Sequence, residues 1–92
     1  MAQALHLMNA PEIEEKIRRA SSRAAELSSA LDRGTLTREQ LVDELCLLAL
    51  GRSAKEQERR IANELFKRQA SREATEDFLW SLLNSYEFLF VH

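Results

Sequence analysis

Only two glycines and one proline punctuate these 92 residues, and each falls at the edge of a run with helical periodicity. Glycine and proline are the residues that let a chain turn sharply. A chain with so few of them, and with few β-branched stretches, is poorly suited to strands and hairpins. Ala, Leu, Glu and Arg dominate instead, and these are strong helix formers. The expectation is an all-α single domain, residues 1–92, built as a compact bundle of four to five short helices.

The apolar spacing places those helices. From Pro11 to about Leu31, Ile13, Ile17, Ala20, Ala24, Leu27 and Leu31 recur at steps of three and four, giving one apolar stripe. Pro11 suits a first turn behind Asn9 or Ala10 as cap, and Glu12 and Glu14 complement the helix dipole. Gly34 fits a left-handed stop after Asp32 and Arg33. Thr37 and Gln40 form a capping box that opens the next helix at about Arg38. Its seam is Leu41, Leu45 and Leu48, and Val42, Cys46, Leu47, Ala49 and Leu50 widen it until the last turns are apolar nearly all round. That pattern marks the central helix, ended by Gly51.

Ser53 and Glu56 read as a second capping box, opening a helix to about Arg68 with Ile61, Leu65 and Phe66 inward. Ser71 is expected to cap a further helix from Arg72 to about Asn84, with Ala74, Phe78, Leu82 and either Leu79 or Leu83 inward. Ala2 to Met8 adds a short helical turn at the start.

Chemistry-bearing motifs are sparse. Cys46 is the only cysteine, so no intrachain disulfide or cysteine-based zinc cluster forms, and its apolar surroundings make it a small buried hydrophobe. His6 and His92 stand at opposite ends, and no Cys-x-x-Cys-His is present to attach a haem. His6 and Met8 are poor axial ligands on a terminal turn, so no cofactor or metal is expected. Glu12, Glu14, Glu15 and Glu26, and again Glu73, Glu76 and Asp77, read as solvated helix faces rather than acid–base pairs. The chain lacks a Ser-His-Asp order, a phosphate-cradling glycine loop and a His-Glu-x-x-His, so the domain is not read as an enzyme.

Net charge is −2 with a pI of about 5.7, unlike the basic balance of a nucleic-acid-binding domain. Arg18, Arg19, Arg23, Arg59, Arg60, Lys67 and Arg68 are interleaved with acids. Glu14 precedes Arg18 by four residues, as do Glu15 for Arg19, Glu56 for Arg60 and Glu64 for Arg68. These are intrahelical pairs on a self-neutralised surface, and no nucleic-acid partner is expected. No apolar run approaches a membrane span, and the first eleven residues lack the features of a signal peptide.

The chain's far end stands apart. Four of its six aromatics, Trp80, Tyr86, Phe88 and Phe90, fall in the last thirteen residues. A chain end is normally the frayed part of a domain. Two readings follow: a segment folded back to complete a small core, or a contact patch for another domain or subunit. Docking is the arrangement expected here, with Trp80, Phe78, Leu82 and Phe88 packed on Leu45 and Leu48.

The segments Ala4–Pro11, Leu47–Ser53 and Trp80–His92 resemble, in the same order, the C-terminal end of the planctomycete-specific domain of unknown function. The run Leu-Leu-Asn-Ser-Tyr-Glu-Phe, Leu82 to Phe88, is the most specific element, although Tyr86 stands where related chains usually carry a smaller or polar residue. The resemblance implies a C-terminal piece of a long multi-domain bacterial protein, often with a cytochrome-c-like segment upstream. It implies an exported or cell-envelope parent and no catalytic residues. The first nine residues, including His6, Leu7 and Asn9, would then continue from an upstream domain, lacking order of their own or borrowing packing from a neighbouring copy. The function expected is a non-catalytic structural or interaction module whose partners are upstream domains or another protein. Its rival is an accessory piece of a larger redox or hydrolytic enzyme.

Overall fold

The structure, a computed structural model, describes residues 10–85. It contains four helices: α1 (Ala10–Arg33), α2 (Arg38–Leu50), α3 (Glu56–Arg68) and α4 (Ser71–Leu83), with no strand among the described residues. The all-α expectation holds. The turn at Ala2–Met8 and the segment from Tyr86 to His92 lie outside the described residues, as does the expectation about the first nine.

Each helix end has a local cause. The chain leaves α1 through Gly34, whose φ of 80° is left-handed. There the Gly34 amide donates to the Leu31 carbonyl (3.1 Å) and the Thr35 amide to the Ala30 carbonyl (3.0 Å), the paired bonds of a Schellman stop. The Thr37 capping box is present in both directions: the Gln40 amide donates to Thr37 Oγ1 (3.1 Å), and the Thr37 amide to Gln40 Oε1 (2.9 Å). Gly51 ends α2 at φ 75°, its amide bonded to the Leu47 carbonyl.

Two caps differ from expectation. α3 begins behind Lys55, not Ser53, because the Lys55 amide donates to Glu58 Oε1 at 2.8 Å and shifts the start by two residues. α4 begins behind Ala70, with Ser71 as its first residue. The Ser71 carbonyl accepts from Thr75 Oγ1 at 2.7 Å.

The core is shared between α2 and α4, which each bury six residues. From α2 these are Leu41, Val42, Leu45, Cys46, Ala49 and Leu50; from α4, Ala74, Thr75, Phe78, Leu79, Leu82 and Leu83. α4 packs on all three other helices, and α2 does the same, whereas α1 and α3 flank the pair and do not meet. α1 contributes Ala20, Ala24, Leu27 and Ser28, with Ile13, Ile17 and Leu31 half-buried along the same stripe. Ala at two of those positions lets the α1 backbone approach its neighbours closely. Burying a large apolar side chain contributes roughly 1.5–3 kcal/mol, so Phe78, Leu41, Leu45 and Leu79 dominate the stability of this small domain.

Three apolar side chains face the wrong way for the expected core. Leu47 is 50% exposed, Ile61 40% and Trp80 49%. Trp80 lies two residues from Phe78, which is about 200° around a helix, so burying one exposes the other. In α3 the same phase leaves small Ala62 buried and Ile61 beside it in solvent, with Leu65 and Phe66 half-buried.

Candidate functional site

The most organised polar cluster ties α2 to α3. Glu58 receives a bidentate contact from Arg52, with Nη1 donating to Oε1 at 2.9 Å and Nη2 to Oε2 at 2.7 Å. Arg52 Nη1 also donates to the Ser53 carbonyl at 2.9 Å. Asp43 Oδ1 accepts from the Ala54 amide and from Arg59 Nη2, both at 3.0 Å. The 51–55 connection is therefore gripped at Arg52, Ala54 and Lys55 by carboxylates from the two helices that it joins. The Arg52 bond, with the Lys55 amide and both cations, holds the Glu58 carboxyl below its ordinary pKa against the opposing effect of burial.

Cys46 points at this cluster, its Sγ donating to Glu58 Oε1 at 3.9 Å. Burial pushes the thiol up to about 12, and the neighbouring carboxylates Glu58 and Asp43 add to the shift. A thiol that stays protonated is a poor nucleophile and a poor metal ligand. Cys46 is a packing residue, as its apolar setting in the sequence implied. The cluster has the chemistry of a latch rather than of a reaction centre. Among the described residues, no group of three or more His, Cys, Asp and Glu side chains is placed to hold a metal ion.

The other side of α2 is open. A groove of about 640 Å³ runs between α1 and α2, with exposed Leu47 and half-buried Leu48 on one wall and Arg18, Arg19 and Arg23 on the other. Arg23 bridges the helices, donating to Glu26 Oε1 on α1 (2.8 Å) and to Glu44 Oε1 on α2 (3.2 Å). Those two hydrogen bonds, that to Glu26 first, raise the Arg23 pKa further above its ordinary value. Arg18 pairs with Glu15 rather than with Glu14, and Arg19 also reaches Glu15, at 3.6 Å. Of the remaining expected pairs, Arg60 meets Glu56 at 3.6 Å and Arg68 meets Glu64 at 3.4 Å.

The outer face of α4 carries Trp80 with Glu73, Glu76 and Asp77 one and two turns before it, all on the side away from the core. Phe78 and Leu82, by contrast, are buried with Leu45, and Leu48 packs half-buried against that cluster. Trp80 thus departs from the core-closing role expected of it. Tyr86, Phe88 and Phe90, the rest of the anticipated aromatic patch, lie outside the described residues. Neither the latch nor the groove follows from sequence spacing, because both join residues on different helices.

Comparison with protein families, with curated proteins and with solved structures finds no match. Among the described residues, no helix is long and apolar enough to cross a membrane.

Proposed function

We propose that this domain is a non-catalytic helical module that docks another polypeptide, and that Trp80 is the anchor of that contact. The observation carrying the reading is the half-exposed indole on the outer face of α4, a helix whose inner face already fills the core without it. Tryptophan is enriched among the residues that carry most of the energy of protein contacts. Tyr86, Phe88 and Phe90 follow α4 closely in sequence and extend the same aromatic supply. The resemblance to the planctomycete-specific domain suggests the partner, an upstream domain of a large multi-domain parent in the cell envelope.

Trp80 is the only tryptophan, so its fluorescence reports the contact directly. Titration with the upstream region of the parent protein is expected to shift emission to the blue and to protect the indole from a soluble quencher. Trp80→Ser is expected to abolish binding while leaving the thermal midpoint close to that of the parent chain. A Trp80→Ser protein that melts far earlier would assign Trp80 to the core and end the reading.

A further inference from the structure

On the opposite side of α2 from the groove, the α2–α3 seam holds a small pocket of about 60 Å³, lined by Arg38, Glu39, Val42, Arg59 and Asn63. The helices run antiparallel here. Arg38 near the start of α2 meets Phe66 near the end of α3, and Asp43 meets Arg59 about two turns earlier on α3. Arg38 and Arg59 therefore line the pocket together, and Asn63, four residues beyond Arg59, adds a carboxamide to the α3 wall.

Both guanidiniums are held by contacts that leave donors available. Arg38 lies over the Phe66 ring, 5.1 Å from its centroid, and makes no ion pair among the described residues. A cation–π contact of this kind holds a guanidinium near the ring without occupying its N–H groups. Arg59 is fixed by Asp43 through one nitrogen, Nη2, so the rest of its fork lies outside that bond. A planar fork presents five donors, matched in geometry to a carboxylate.

We infer that this pocket binds a carboxylate, between the Arg38 and Arg59 guanidiniums and the Asn63 side-chain amide. The charge balance selects the ligand. Asp43 offsets Arg59, and against Arg38, which makes no ion pair among the described residues, the pocket lining holds one further carboxylate, Glu39. A monoanion is tolerated beside Glu39, whereas a phosphate dianion meets stronger repulsion. The volume accepts a carboxylate head and little more, so the rest of the ligand stays outside. The ligand is an acidic side chain of a polypeptide or a small free carboxylic acid. This inference stands apart from the docking role of Trp80, which lies on another helix and another face.

The test is a titration of the 92-residue chain with acetate and with a capped single-glutamate peptide, at ionic strength fixed with chloride. It is followed by NMR of the backbone and of the arginine Nε–H groups. Saturable shifts confined to Arg38, Val42, Arg59 and Asn63 are expected. Arg38→Gln should weaken binding at least tenfold, Asn63→Ala several-fold, and Glu39→Gln should strengthen it several-fold, each with an unchanged circular dichroism melt. Tighter binding of the peptide than of acetate would identify a polypeptide ligand, and equal affinity a free acid. Shifts that do not saturate, shifts that chloride reproduces, or an Arg38→Gln protein that binds as well as the parent would overturn the inference.

Discussion

The two sides of α2 use the same residue types to opposite ends. Toward α3, the Arg52–Glu58 and Arg59–Asp43 pairs are partly withdrawn from water and fixed. The Arg52 and Glu58 side chains are only 24% and 17% exposed, and their contact is bidentate. Toward α1, the Arg23–Glu44 bridge is 47% and 44% exposed and monodentate, and a groove opens beside it. The connections follow suit. Side chains grip residues 51–55, whereas residues 34–37 are held mainly by the Schellman bonds at Gly34 and by the Thr37 capping box. Ion pairs are therefore not interchangeable counts. Screening by water reduces an exposed pair to about 0–1 kcal/mol, and withdrawal with fixed geometry restores its worth.

The largest test of that contrast is Glu58→Ala. It removes both Arg52–Glu58 bonds and the Lys55 cap, taking the bidentate carboxylate away from a partly buried guanidinium, at an expected cost of about 2–3 kcal/mol in chemical denaturation. A cost no greater than that of Glu44→Ala would erase the distinction between the two sides.

Acid titration probes the same bond with a smaller effect. Because Glu58 is depressed in the folded state, its contribution is fully present above the ordinary value of 4.5. It is lost as pH falls through the lower folded value, where the unfolded chain takes up the proton first. Thermal midpoints measured downward from neutral pH should therefore drop below about 4.5, and Glu58→Gln should flatten part of that drop. An unchanged acid slope in Glu58→Gln would remove the latch from the account of acid stability.

What the sequence makes legible is local. The Thr37–Gln40 box, the left-handed stops at Gly34 and Gly51, and the bounds of α2 all rest on residues within a turn of one another. The start of α3 is ambiguous in the sequence because Ser53 and Glu56 also carry a capping pattern. Glu58 wins through its hold on Arg52, an interaction outside the helix. Trp80 misleads for another reason: hydrophobicity alone ignores helical phase, and Phe78 already claims the inner face. The latch and the groove are beyond reach, since Asp43–Arg59 and Arg23–Glu44 pair residues sixteen and twenty-one apart. No short spacing announces such contacts.

Gly34 sharpens the comparison from the side of the α1–α2 turn. A Cβ there meets nothing within 4 Å, so the penalty for Gly34→Ala comes only from its φ of 80°. The expected loss is about 1 kcal/mol. Denaturant unfolding of Gly34→Ala measures it, and a loss of several kcal/mol would mean that this connection is gripped as firmly as residues 51–55.

The smallest expected effect lies on the groove side of α2. Leu47 faces the groove half-exposed, and its loss opens no cavity because solvent already reaches it. Leu47→Ser should change stability by no more than about 0.5 kcal/mol, as surface substitutions usually do. The Glu58 site and Leu47 then differ by roughly a factor of four or more, although both belong to the neighbourhood of one 13-residue helix. If Leu47→Ser instead destabilises like a core truncation, the α1–α2 side contributes as much to folding as the latch.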